Sequence, residues 1–157
     1  MYNDFAIFTG RAHPELAEAI AARLGRPLGK VDVFEFANEN IFVQFQENIR
    51  QRDVYLVQPF VSPVNTSIIE LLIMIDALKR ASAKRISVVL PFSGYAPQDK
   101  KHRGREPISA RLMADLFKTA GADRLMAIDL HTDQIQGFFD GPVDHLMALP
   151  ILSNHVR

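Results

Sequence analysis

Asp129-Leu130-His131-Thr132-Asp133-Gln134-Ile135-Gln136-Gly137-Phe138-Phe139-Asp140-Gly141-Pro142-Val143-Asp144 is the most informative stretch of the chain. An apolar run, Leu125-Met126-Ala127-Ile128, leads into it. A run that short fits a buried strand. Asp129, His131 and Asp133 then follow at spacing two, and extended backbone would point all three side chains to one side. In an open α/β sheet, ligands bind beyond the carboxyl ends of the strands. Two carboxylates and an imidazole there can hold a hard cation or handle a proton. On spacing alone, the same residues serve equally well as turn formers or helix caps. Gln134, Gln136, Phe138 and Phe139 weigh toward a functional loop, since a plain connection rarely needs two amides and two large aromatics.

Upstream, strand and helix signals alternate. Phe5-Ala6-Ile7-Phe8 reads as a first strand, turned by Thr9-Gly10-Arg11. Pro14 suits the first turn of a helix. Leu16, Ala19, Ile20, Arg23 and Leu24 keep helical spacing, and Gly25 is placed to end the helix. Val31 opens a strand, Asn38-Glu39-Asn40 turns it, and Ile41 to Phe45 returns as the second arm of a hairpin. Asp53 to Gln58 is a further strand, and Pro59 and Pro63 force a loop. Asn65 or Thr66 is expected to cap the next helix, with Glu70 near its positive end. Its apolar face is Ile68, Leu71, Leu72, Ile75 and Leu78. Ile86 to Leu90 is a near-continuous apolar strand of the parallel-sheet kind. Ser109 is expected to cap a helix with apolar face Leu112, Met113, Leu116 and Phe117, stopped by Gly121. Val143 to Leu149 reads as a last strand. Pro150-Ile151-Leu152 opens a helix that is not completed before Arg157, which predicts a chain cut short. The alternation predicts one doubly wound α/β domain over residues 1–157, with a largely parallel sheet, helices on both faces and a β-hairpin flap.

The longest irregular stretch runs from Pro91 to Pro107. Loops beyond about 12–15 residues are usually functional or disordered. Here Lys100, Lys101, His102, Arg103 and Arg105 follow an aromatic anchor, Tyr95. A solvated charge run is the plain alternative. Placed opposite the acidic stretch, these cations would suit phosphates and the carboxylates would suit magnesium.

Bulk properties exclude several classes. The 157 residues are 48% hydrophobic and 23% charged, with zero net charge and no cysteine. A chain of this length can bury roughly 70% of its unfolded surface. Neutrality argues against a broad nucleic-acid surface, and the basic run lacks interleaved aromatics. Absence of cysteine removes disulfides and thiolate metal sites and suits a cytoplasmic setting. Asp4 and Arg11 bracket too short an apolar run for a signal peptide. No stretch approaches the roughly 20 apolar residues of a membrane span.

The acidic stretch closely resembles the signature of the ribose-phosphate pyrophosphokinases, or phosphoribosyl pyrophosphate synthetases. The resemblance extends through Glu47-Asn48-Ile49-Arg50, Asp76-Ala77-Leu78-Lys79-Arg80-Ala81-Ser82-Ala83, and Asp99 to Arg111. It implies a phosphoribosyltransferase-like fold, and transfer of diphosphate from Mg-ATP to ribose 5-phosphate. It covers only the N-terminal half of the family. The acidic ribose-5-phosphate loop and the catalytic-lysine loop of the second domain do not occur in this chain. A non-catalytic assembly or regulatory module, similar to synthetase-associated proteins, is the competing expectation.

The resemblance also carries roles onto particular residues. His131 is the metal-associated histidine and the catalytic candidate, with Asp129 and Asp133 as further metal candidates for Mg²⁺. Phe36, Asn38 and Gln98 are nucleotide candidates, with Asp99 and Lys101 beside them. Arg50, Ser82, Gln136, Asp144 and again Lys101 match a surface that responds to inorganic phosphate or ADP. A homo-oligomer is implied, in which the hairpin flap reaches a neighbouring subunit's site. Two positions depart from the pattern: Pro97 stands where an ATP-binding arginine is usual, and Asn40 where glutamate is usual. Proline has neither charge nor N–H. A hydrogen bond to a charged group contributes about 1.5–3 kcal/mol, so its loss alone weakens binding roughly ten- to hundredfold.

Overall fold

A computed structural model describes residues 5–156 of the chain. Asp4 and Arg157, on which the expectations about a leader and about the chain end rest, lie outside the described residues. The elements in chain order are β1 (Phe5–Thr9), α1 (Pro14–Arg23), β2 (Val31–Glu35), β3 (Ile41–Phe45), β4 (Asp53–Val57), α2 (Val64–Arg80), β5 (Arg85–Leu90), α3 (Ser109–Ala120), β6 (Arg124–Ile128), β7 (Val143–Leu146) and α4 (Leu149–Val156). A short 3₁₀ helix, Asp133–Phe138, lies between β6 and β7.

β1, β4, β5, β6 and β7 form one sheet in that order, every neighbouring pair parallel. β2 and β3 stand apart as an antiparallel pair, Val31 opposite Phe45 and Glu35 opposite Ile41. Alternation along the strands divides the core. Phe8, Val54, Leu56 and Val88 face one side, where Leu71, Met74 and Ile75 of α2 and Phe117 of α3 pack on them. Ile7 and Val57 face the other, against Ala17 and Ala21 of α1. Helices therefore cover both faces, as expected. The hairpin rests on the α2 side: Val31, Val33, Val43 and Phe45 pack against the larger cluster, and the Phe45 ring meets Phe8 edge-on at 4.8 Å.

The α1 face is covered only in part. An apolar groove of about 890 Å³ runs across it, past Tyr55, Val89, Met126, Ile128 and Leu146. None of the polar candidates from the sequence lines this groove. α4 exposes Leu149, Ile151, Leu152 and Val156.

Several local expectations are corrected. α2 begins at Val64 with Pro63 as its cap, so Asn65 and Thr66 already lie in the first turn. Asn65 instead accepts the Tyr95 hydroxyl at 2.8 Å. Ser109 is the first residue of α3 and makes no capping bond. The Gln98 carbonyl accepts the Ala110 N–H instead, at 3.1 Å. The last strand stops at Leu146, and Leu149 opens α4. Leu112 is 52% exposed rather than part of the core face of α3. Glu70, expected near the positive end of the helix, lies beyond its first turn and is 2% exposed, inside the core. The helix stops hold: Gly25 and Gly121 have φ of +65° and +126°, which glycine tolerates because it lacks a Cβ.

Candidate functional site

β5 and β6 are adjacent and parallel, so the loops leaving their carboxyl ends emerge side by side. These are the basic loop after Leu90 and the acidic stretch after Ile128. One hydrogen bond joins them: the Thr132 hydroxyl donates to Asp99 Oδ2 at 2.6 Å. Asp99 is 5% exposed. The Thr132 hydrogen bond holds its carboxyl below the usual carboxylate range, against desolvation, and the charges of His131 and Lys100 add to the effect. A carboxylate, an imidazole and an ammonium thus share one neighbourhood at the strand ends.

The basic loop has its own internal order. Turns at Ser93–Ala96 and Tyr95–Gln98 fold it back toward α3. Further along, Glu106 Oε2 accepts the backbone N–H groups of His102 at 2.7 Å and Arg103 at 2.9 Å. Those bonds hold the Glu106 carboxyl below its ordinary value. Lys100, Lys101, His102, Arg103 and Arg105 all remain exposed, as do Pro97 and Gln98. Closing the loop through backbone groups leaves the cationic side chains free to meet an anion.

The acidic stretch is arranged differently from the extended form that spacing two suggests. Asp129 has φ of +47°, so the alternation of sides ends with the strand at Ile128. Its Oδ1 accepts the Ala148 N–H at 3.1 Å, just ahead of α4. Asp133 Oδ1 lies 3.3 Å from His145 Nδ1. Among the described residues, no three His, Asp or Glu side chains converge in a way that would hold a metal ion. Asp129, His131 and Asp133 therefore do not form a ready ligand set. His131 is exposed and has no hydrogen-bond partner among the described residues.

His145 is the residue that sequence reading missed here. Its Nε2 accepts the Leu130 N–H at 3.0 Å. Nε2 is then unprotonated, and the proton on Nδ1 faces Asp133. The imidazole is 10% exposed and braces the turn that carries His131. The only sequence signal was a polar residue inside a short strand.

The hairpin tip closes through the Phe36 N–H to the Asn40 carbonyl at 2.9 Å. The Asn38 side chain accepts the Asn40 N–H at 3.3 Å. Phe36 is 50% exposed and lies against Phe34 and Phe42. Phe36, Asn38 and Asn40 are thus presented to solvent on one tip. The hairpin packs on α2 through β3, while the 3₁₀ helix of the acidic stretch packs on α3 and β7. The structure brings Asp99 and His131 together, with Pro97 and Gln98 in the same loop; it does not bring the flap residues to them.

The remaining candidates are scattered. Ser82 and Arg50 lie close in the loops entering β5 and β4, where the Ser82 carbonyl accepts the Gln51 N–H at 2.9 Å. Asp144 pairs with Arg124 at 3.1 Å. Gln136 sits in the 3₁₀ helix and Lys101 in the basic loop. Among the described residues, no hydrogen bond or ion pair joins Lys101, Gln136 or Asp144 to Arg50 and Ser82.

Residues 5–121 match the model of the N-terminal domain of ribose phosphate pyrophosphokinase. A ribose-phosphate pyrophosphokinase from Streptomyces coelicolor is 64% identical over 149 residues, which cover 95% of this chain and 46% of the relative. One from Mycobacterium tuberculosis is 61% identical over 151 residues, again 46% of its length. The crystal structure of phosphoribosylpyrophosphate synthetase from Mycobacterium smegmatis superposes with a TM-score of 0.96 at 57% identity, covering 98% of this chain and 52% of that one. The chain spans about half the length of the curated relatives it matches.

Proposed function

Because the chain belongs to the ribose-phosphate pyrophosphokinase family, matching its N-terminal domain, we propose that it provides the ATP side of diphosphate transfer from Mg-ATP to ribose 5-phosphate, yielding phosphoribosyl pyrophosphate and AMP. The Thr132–Asp99 hydrogen bond carries this reading, because it holds the cationic loop against the acidic stretch at the strand ends. Phosphoryl-type transfer depends mainly on positioning and charge neutralisation. Lys100, Lys101 and Arg103 supply exposed cations for the phosphates. Asp99, kept ionised, and His131 share that neighbourhood and supply an oxygen and a nitrogen donor there.

The lack of a preformed ligand cluster fits magnesium, which keeps several waters and binds through one or two protein groups plus substrate phosphates. His131 is the residue proposed to face Mg-ATP, directly or through metal-bound water. Asp133 and Asp129 act behind it: one oxygen of each is already engaged by His145 or the Ala148 N–H, so they orient the turn. When bound, the magnesium would neutralise charge on the phosphates. Phe36 and Asn38 serve the nucleotide base of a neighbouring copy, which suits a flap standing away from its own strand-end loops. Arg50, Ser82, Lys101, Gln136 and Asp144 are proposed to meet phosphate or ADP only across copies.

Ribose 5-phosphate is assigned to the other half of the family's length, so this chain alone is not expected to release AMP from Mg-ATP and ribose 5-phosphate. Pro97 and Asn40 favour a second reading, a module that assembles with full-length synthetases without turning over. Calorimetric titration with Mg-ATP, repeated on Pro97→Arg, separates the two. The ATP-side reading expects saturable binding that Pro97→Arg tightens about tenfold or more, the lower end for one charged hydrogen bond. Absence of binding by both proteins, with capture of a full-length synthetase, would establish the assembly module instead.

A further inference from the structure

The end of β1 holds a polar chain that the proposed chemistry does not use. Glu70 of α2 is 2% exposed, yet it is fully partnered. Its Oε1 accepts the Arg11 N–H at 2.6 Å and the Gln58 amide at 3.0 Å, and its Oε2 accepts Arg11 Nε at 2.7 Å. Gln58 is itself buried at 0% and also receives the Ala12 N–H at 3.4 Å. A Cβ on Gly10 would collide with Glu70 Oε1 and Gln58, so only glycine lets the turn come this close. Sequence and packing together make this turn a fixed point.

Arg11 carries that fixed point outward. Its Nη2 donates to Glu35 Oε1 at 2.7 Å. Glu35 is the last residue of β2, immediately before Phe36 at the flap tip. One guanidinium thus spans a core carboxylate and a flap carboxylate. Its planar array of donors can hold both in set directions, whereas a lysine ammonium is a single point. Partial burial opposes the charge on Arg11, but the bonds to Glu35 and Glu70 outweigh it and hold the guanidinium above its ordinary pKa.

The base of the flap is anchored separately, by Phe45 on Phe8 and by Val31, Val33 and Val43 on the core. Toward the tip, Phe34, Phe36 and Phe42 pack only on one another among the aromatic contacts found. Apolar packing on the core cluster therefore runs through the base of the hairpin, at Val31, Val33, Val43 and Phe45. Among the described residues, the Arg11–Glu35 contact is a polar tie between the far end of the hairpin and the body of the domain.

We propose that Arg11 is a positioning residue: it transmits the fixed geometry of buried Glu70 to Glu35, and so sets the angle at which the flap presents Phe36 and Asn38 to a nucleotide. The nucleotide part rests on the ATP-side reading above; the ordering of the flap does not.

Glu35→Gln is the primary variant, because it removes the charge from the outer link and leaves Arg11 bound to Glu70. Arg11→Lys is the second, keeping charge but losing the fork. Amide hydrogen exchange over residues 34–42 of the 157-residue chain is measured beside thermal unfolding. Both side chains of the outer pair are more than a third exposed, so the effect is modest, about two- to fivefold. For Glu35→Gln, faster exchange of that size in the flap with β1, α2 and Tm unchanged is the expected result, with Glu35→Asp restoring part of the protection; Arg11→Lys, which also disturbs the Glu70 bond, is expected to loosen the flap and lower Tm. Unchanged flap exchange in both variants overturns the proposal, as does faster exchange throughout with a fall in Tm in Glu35→Gln. Mg-ATP titration of Glu35→Gln is expected to show weakening of similar size; unchanged affinity beside a loosened flap overturns the positioning role. If the unaltered chain binds no Mg-ATP, the ATP-side reading fails, while the exchange data still decide whether Arg11 orders the flap.

Discussion

Replacing Glu70 by alanine tests whether the buried carboxylate organises the end of β1. Three donors converge on it: the Arg11 N–H, the Arg11 guanidinium and the Gln58 amide. Glu70→Ala leaves the Arg11 N–H without its acceptor and the Gln58 amide with only the Ser67 carbonyl, at 3.4 Å. Each unsatisfied buried donor costs about 1–3 kcal/mol. Breaking a fully buried ion pair costs about 3–5 kcal/mol. Arg11 is 39% exposed and can recover water, which places this case at the lower end, about 3 kcal/mol. Urea unfolding followed by circular dichroism reads the loss directly. With an m-value of about 2 kcal/mol/M, the midpoint falls by about 1.5 M at constant slope. Gly10→Ala attacks the same carboxylate from the other side and is expected to cost a similar amount. A midpoint shift under about 0.3 M for Glu70→Ala would refute the claim that these bonds are formed and buried, since a satisfied carboxylate at 2% exposure cannot be removed without effect.

Two further outcomes are expected. Thr132→Val removes the donor that lowers the Asp99 pKa. With that folded-state value depressed, Asp99 contributes stability that is full above the unfolded carboxylate value, near 3.8, and is lost as pH falls through the depressed one. The variant should therefore unfold at higher pH in an acid titration followed by circular dichroism, with little difference near neutrality beyond the lost bond; superimposable acid transitions would argue against the Asp99–Thr132 link. Gly121→Ala forces a side chain into φ of +126° and against Lys79. It should cost about 1–3 kcal/mol, lowering Tm by several degrees in calorimetry.

The sequence by itself determined the class of fold. The apolar runs at Phe5–Phe8, Asp53–Val57, Ile86–Leu90 and Leu125–Ile128 are local signals, and each became a strand of one parallel sheet. Short hydrophobic runs separated by helical periodicity leave few other arrangements. The hairpin was equally legible, because turn formers at Asn38–Asn40 separate two apolar arms of equal length. Gly25 and Gly121 marked helix ends for a reason that resides in one residue, freedom from a Cβ.

Tertiary structure alone decided what depends on partners far along the chain. Ser109 and Asn65 looked like helix caps, but a cap forms only if no better acceptor or donor arrives, and Gln98 and Tyr95 arrived. Asp129 looked like the next residue of a strand; it turned into the left-handed region and met Ala148, 19 residues away. Asp99 and Thr132 are 33 residues apart, and Glu70 and Arg11 are 59 apart. No local pattern announces such pairs, because each is set by which strand ends the sheet places side by side. Local propensity fixes where elements form; the sheet order fixes which polar side chains meet.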